Sequence, residues 1–140
     1  MLIFCYFVVL CLAVWCAVSD IICRRIPNIA VISLVIVAIV MSLQTRIWVG
    51  CSEFLVAVFV GFALYLLRCF GAGDIKYFWA CMLIVPNQVE LLLLSTALFG
   101  LLLAIVYLAK HRFHPKEVGT IPYGVAISSG VVLCLCRVMF

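Results

Sequence analysis

Gly71-Ala72-Gly73-Asp74-Ile75-Lys76 puts a carboxylate and a lysine inside a chain of 140 residues of which 70% are hydrophobic and only 10% charged. An Asp or Lys near the middle of a bilayer costs about 2.5–3.5 kcal/mol on insertion scales, so an acid kept there marks a functional site and calls for a partner. The rest of the chain must be read for where that partner lies.

Such a composition, with a mean hydropathy of +1.45, lies outside the range of soluble domains. It predicts an integral membrane protein of the all-α class. A spanning helix takes about 20 apolar residues, so the length allows about six short transmembrane helices in one domain, residues 1–140, with the lipid bilayer as its surroundings. Chemistry must then sit on helix ends and loops. The net charge of +4 is spread over short loops without a basic run, which reads as a topology signal and excludes a nucleic-acid surface. Nine cysteines lie mostly within apolar runs and form no Cys-x-x-Cys pair. They read as small packing or lipid-facing residues, with no zinc site expected.

The first helix is expected over Leu2 to Val18, stopping at Ser19-Asp20. A secretory signal peptide competes for this stretch, since Ala17-Val18-Ser19 resembles a cleavage site. The charges Arg24 and Arg25 follow the run instead of preceding it, which favours a retained helix. Pro27 suits the start of a second helix, Asn28 to Leu43. A third is expected from about Phe54 to Phe70, a fourth from about Ile75 to Val85, a fifth from Val89 to Ala109 and a sixth from Pro122 to Val138. The fourth, at about 11 residues and 1.5 Å per residue, covers about half of a 30 Å core, so its start is expected to be sunk below the surface.

Sides follow from the basic residues. Six crossings put Arg24, Arg25, Arg68, Lys76, Lys110, Arg112 and Lys116 on one face, the cytoplasmic one, and only Arg46 and Arg137 on the other. Asp20 and Asp74 fall on that same basic face and are the chain's only aspartates. Two carboxylates in one recess repel each other, so one stays protonated while its partner is ionised. The ionised one can draw a proton from water and the protonated one can donate to a carbonyl oxygen. Gly71 and Gly73 are expected in left-handed or tightly turned backbone, leaving room for an extended peptide beside Asp74; the alternative is a plain turn.

Lys76 has two readings, tuning of the pair and a snorkelling anchor, and the anchor is favoured because residues two apart do not share a helix face. Arg24 and Arg25 likewise read as orientation anchors more than substrate contacts. His111 and His114 have no third ligand nearby, and no metal site is expected.

These stretches resemble the type IV prepilin peptidase family of membrane aspartic proteases. Asp20-Ile21-Ile22-Cys23-Arg24-Arg25-Ile26-Pro27-Asn28 is similar to its first aspartate motif, and Gly71 to Lys76 to its Gly-x-Gly-Asp-x-Lys motif. Ile121-Pro122-Tyr123-Gly124 resembles its Pro-aromatic-Gly start of the last helix. The resemblance implies that Asp20 and Asp74 are catalytic, supported by Gly71, Gly73, Lys76, Pro27 and Asn28. It further implies a prepilin or pseudopilin substrate, whose basic leader is cut at the cytoplasmic face of the bacterial inner membrane, without metal or cofactor. The N-terminal insertion with paired Cys-x-x-Cys motifs found in larger members is missing. No nucleotide loop or soluble domain stands in for it, so methylation of the product is left open. The chain is closer to the small peptidases of tight-adherence, secretion or competence systems. Presenilin-type proteases share Gly-x-Gly-Asp but not Ile-Pro-Asn.

Two rivals remain. A proton- or cation-coupled transporter could also use paired aspartates, although transporters tend to hold acids near the midplane between internal repeats. A catalytically dead scaffold of a secretion machine would not need the intact acids.

Overall fold

The computed structural model describes residues 1–67, 71–113 and 121–139. They form six α-helices: α1 Leu2–Cys23, α2 Asn28–Thr45, α3 Cys51–Leu66, α4 Ala72–Ile84, α5 Val89–Phe113 and α6 Tyr123–Met139. A single 3-10 turn at Pro86–Gln88 leads into α5. No strand occurs among the described residues, so the class is all-α, as expected.

Each core helix buries a narrow stripe. On α1 the stripe is Cys5, Val9, Ala13, Cys16 and Asp20, and on α2 it is Ala30, Leu34, Ala38, Met41 and Ser42. These spacings of three and four residues keep one face of each helix inward. The other faces carry large exposed apolar side chains, such as Ile3, Phe4 and Phe7 on α1 and Leu101, Leu102 and Ile105 on α5. An apolar outside of this extent suits lipid and not water. Three segments, Leu2–Cys23, Asn28–Thr45 and Pro86–Lys110, are long and apolar enough to cross a membrane, while Cys51–Leu66 and Tyr123–Val138 are shorter apolar helices. The protein is a membrane protein by these features.

Four helices close a ring, with α1 packed on α2 and α6, and α4 packed on the same two. Outside it, α3 leans on α4 and α5 on α6. Small residues set the close approaches. A Cβ at Gly130 would lie 2.7 Å from Thr96 Cγ2, and one at Gly61 would lie 3.0 Å from Ile75 Cγ2 and 3.1 Å from the Trp79 ring. Trp79 Nε1 also donates to the Ala57 carbonyl at 3.2 Å, fastening α4 to α3. Cys5, Cys16, Cys81 and Cys134 are buried as free thiols while Cys11 and Cys136 are exposed, in line with packing and lipid-facing roles.

Several expected boundaries move. The first helix does not stop at Ser19-Asp20 but runs a further turn, ending where Arg24 takes a left-handed conformation (φ 54°) and its N–H bonds the Asp20 carbonyl at 3.1 Å. The third helix begins at Cys51, one turn earlier than expected, with Gly50 as its N-cap. The fourth begins at Ala72, so Asp74 lies within its first turn. Gly71 is extended (φ −72°, ψ 147°), Gly73 is helical, and no described glycine has a positive φ. The left-handed or tightly turned backbone expected at these glycines is therefore replaced by a helix start. The second helix begins at Asn28 as expected, with Pro27 as its N-cap. The fifth helix continues to Phe113, through the start of the expected polar loop. The expectations for Arg68, Cys69, Phe70, His114 and Lys116 lie outside the described residues.

Candidate active site

Asp20 occupies the last position of the buried α1 stripe and is only 6% exposed. Its place is set by helical period: four residues after Cys16, it faces inward where the preceding turns bury apolar or small side chains. A buried carboxylate needs donors, and α6 supplies one. The Gly124 N–H, in the first turn of α6, donates to Asp20 Oδ2 at 2.8 Å. First-turn N–H groups have no partner within their own helix, and the positive end of the helix dipole favours a carboxylate there. Asp20 thus caps a helix 104 residues away in sequence.

Gly124 must be glycine for this contact. A Cβ there would lie 2.8 Å from Asp20 Oδ2 and 3.1 Å from its Cβ and Cγ.

Asp74 reaches the same place from the opposite side of the ring. It is half-buried in the first turn of α4, where its carboxylate turns back over the N-cap and accepts the Gly71 N–H. This is the return half of a capping box, made by an acid at the third helical position. A Cβ at Gly71 would lie 3.2 Å from Asp74 Oδ2. Gly73 packs on the loop after α1, its Cβ position 3.7 Å from Ile26 Cβ. The helix start that carries Asp74 therefore packs on the loop that follows Asp20. Both acids sit at helix N-termini, at one end of the ring.

Of the supporting residues expected from the sequence, Gly71 lies on Asp74 and Gly73 on the Asp20 loop. Pro27 ends that loop, its carbonyl accepting the Ala30 N–H at 3.0 Å. Asn28 and Lys76 are exposed. Two features escaped the sequence reading. One is the Gly124 N–H. The other is Arg24, whose guanidinium donates to the Tyr107 hydroxyl at 3.0 Å and lies 5.6 Å from the centre of that ring, tying the loop after Asp20 to α5. No spacing in the sequence signals either contact.

A groove of about 1380 Å³ runs along the bundle between α3 and α5, floored by α4 and α6. Asp74 and Tyr123 line it at the aspartate end, Glu90 and Arg137 further along, and small residues such as Gly61 and Gly100 line its walls. Among the described residues no group of three or more His, Cys, Asp or Glu side chains is placed to hold a metal ion.

The sequence profile of the type IV leader peptidase family matches residues 7–109. The matched span takes in both aspartates and ends before Gly124. No curated protein and no solved structure matches the chain.

Proposed function

Because the chain belongs to the type IV leader peptidase family, we propose that it is an aspartic endopeptidase that removes the basic leader from prepilins or pseudopilins, with Asp20 and Asp74 as its catalytic pair. The observation that carries this reading is that the chain's only two aspartates, one on α1 and one on α4, lie at one end of the ring, with the residue before Asp74 packed on the loop that follows Asp20. Ordinary membrane packing gives no reason to gather two acids there.

The reaction follows from a pair that shares one proton. The ionised carboxylate takes a proton from water as the water oxygen bonds to the scissile carbonyl carbon, and the protonated carboxyl gives its proton to the carbonyl oxygen. A gem-diol results. Its collapse breaks the C–N bond as the pair's proton passes to the leaving amine and one hydroxyl proton passes to the pair, so a carboxylic acid and an amine leave and the pair ends with one proton again. The Gly124 N–H keeps one Asp20 oxygen fixed through these steps.

The groove supports a substrate that is itself a membrane helix. It is walled by α3 and α5, reaches Asp74 and offers apolar and small side chains along its length. The hydrophobic segment of a pilin lying there would bring the preceding leader junction to the aspartates. The proposed setting is the bacterial cytoplasmic membrane, with the pair at the cytoplasmic face, since Arg24, Arg25, Lys76, Lys110 and Arg112 flank that end of the helices.

The test is cleavage. Purified protein in liposomes is incubated with a reporter that carries a basic leader, a hydrophobic helix and a soluble tag, and product mass is read. One cut between leader and helix is expected. An intact reporter, together with proton or cation flux through the same liposomes, would replace this reading with the transporter.

A further inference from the structure

We propose that Tyr77 and Ser128 are positioning residues, a buried hydroxyl pair that fixes Gly124, the residue whose N–H grips Asp20, to the helix that carries Asp74. The inference rests on the peptidase reading above.

Tyr77 is wholly buried and Ser128 is 5% exposed. Their hydroxyl oxygens lie 2.8 Å apart, across the contact of α4 with α6. Ser128 Oγ is also 2.8 Å from the Gly124 carbonyl and 3.0 Å from the Ala13 carbonyl of α1. Carbonyls only accept, and a serine hydroxyl has one proton. Ser128 therefore donates toward these two oxygens, and the hydrogen between the hydroxyls comes from Tyr77.

The placement ties this pair to the site. Tyr77 follows Asp74 by one turn on the same side of α4, and Ser128 follows Gly124 by one turn on α6. Ala13 lies two turns before Asp20 on the buried stripe of α1. One hydroxyl pair thus joins the three helices that supply Asp74, the Gly124 N–H and Asp20, one layer beneath the acids. A fixed separation of the carboxylates requires such a brace, because small misplacements of reacting groups are costly in rate. No other side-chain hydrogen bond among those described joins these three helices to one another at a single oxygen.

The experiment compares Tyr77→Phe, Ser128→Ala, Ser128→Thr and the double variant Tyr77→Phe/Ser128→Ala, with Ser42→Ala as a buried serine outside the brace. Using the leader reporter, Tyr77→Phe and Ser128→Ala are each expected to lower kcat about tenfold with KM within about twofold, by loss of alignment. Ser128→Thr restores most of kcat. Ser128→Ala leaves the buried Tyr77 hydroxyl with only the Cys81 thiol, a weak acceptor, as its partner, so the double variant is expected to unfold at a higher temperature than Ser128→Ala while cleaving no faster. Ser42→Ala lowers the unfolding temperature without lowering kcat.

A second readout does not depend on turnover. The chain has only two aspartates, so selective labelling of the aspartate side-chain carboxyl carbon gives two NMR signals, assigned with Asp74→Asn. Tyr77→Phe is expected to move the Asp20 signal and its pH titration, and Ser42→Ala to leave both unchanged. Unchanged aspartate signals in both Tyr77→Phe and Ser128→Ala, or a kcat loss in Ser42→Ala equal to theirs, would overturn the positioning role. Cleavage by Asp20→Asn would instead overturn the peptidase assignment on which it rests, and the NMR comparison would still decide whether the brace holds Asp20.

Discussion

The Gly124 N–H donates to Oδ2 of Asp20 at 2.8 Å, so the first turn of the last helix holds the acid that ends the buried stripe of the first. This contact closes the ring of α1, α2, α4 and α6 at the end where Asp74 also lies. It makes a backbone group part of the candidate site and a glycine obligatory there.

Substitution of the glycines around the acids should follow the space each has. At Gly124 a methyl group would meet Asp20 at 2.8 Å, at Gly71 it would meet Asp74 Oδ2 at 3.2 Å, and at Gly73 it would meet Ile26 at an ordinary 3.7 Å. No positive φ adds a backbone penalty at any of them. Displacing a reacting group by about 1 Å can cost about 100-fold in rate. Gly124→Ala is therefore expected to lose about 100-fold or more in reporter cleavage, Gly71→Ala about tenfold, and Gly73→Ala less than about threefold. A rate assay on the three variants checks the order.

Away from the site, glycine replacement should cost stability and not chemistry. A methyl group at Gly130 would press on Thr96 Cγ2 at 2.7 Å and Ser95 Oγ at 3.0 Å, forcing α5 off α6. Overpacking of this kind costs about 1–3 kcal/mol. Gly130→Ala should lower the unfolding temperature in detergent, whereas Gly50→Ala, whose nearest contact is the flexible Glu53 side chain at 3.6 Å, should not.

The two left-handed arginines should part company. Arg46, exposed at the end of α2, has φ 56°, and Arg24 has φ 54°. Left-handed backbone costs a residue with a Cβ about 1 kcal/mol, which glycine avoids. Arg46→Gly should raise stability by about 0.5–1 kcal/mol on that ground. Arg24→Gly should gain nothing, because it also loses the hydrogen bond and ring contact with Tyr107. Chemical unfolding of both variants measures the difference.

The all-α class, the six helices and most of their bounds were legible because apolar run length and breaker residues are local signals. Asp20 shows the limit of that reading. Ser19-Asp20 looks like a helix stop because both residues are polar, yet the spacing Cys5, Val9, Ala13, Cys16, Asp20 already places the acid on the inward face of a continuing helix. In sequence Gly71 and Gly73 suggest conformational freedom, whereas in the fold it is their missing side chains beside Asp74 and Ile26 that matter. The expectation that Asp20 and Asp74 share one face rests on topology and scarcity, and both lie at one end of the ring. The contacts of Gly124, Tyr107, Tyr77 and Ser128 did not follow, since each joins helices distant in sequence and no local pattern encodes it.

The central claim is that two aspartates share the chemistry, and cleavage of the leader reporter by Asp20→Asn and Asp74→Asn tests it most directly. An amide keeps the shape of the carboxyl but cannot exchange the proton, and loss of general acid–base catalysis costs about 100- to 10,000-fold. Each single variant, folded and inserted like the parent, is predicted to leave the reporter uncut over the time in which the parent converts all of it. Cleavage at the parent rate by either variant would contradict the account.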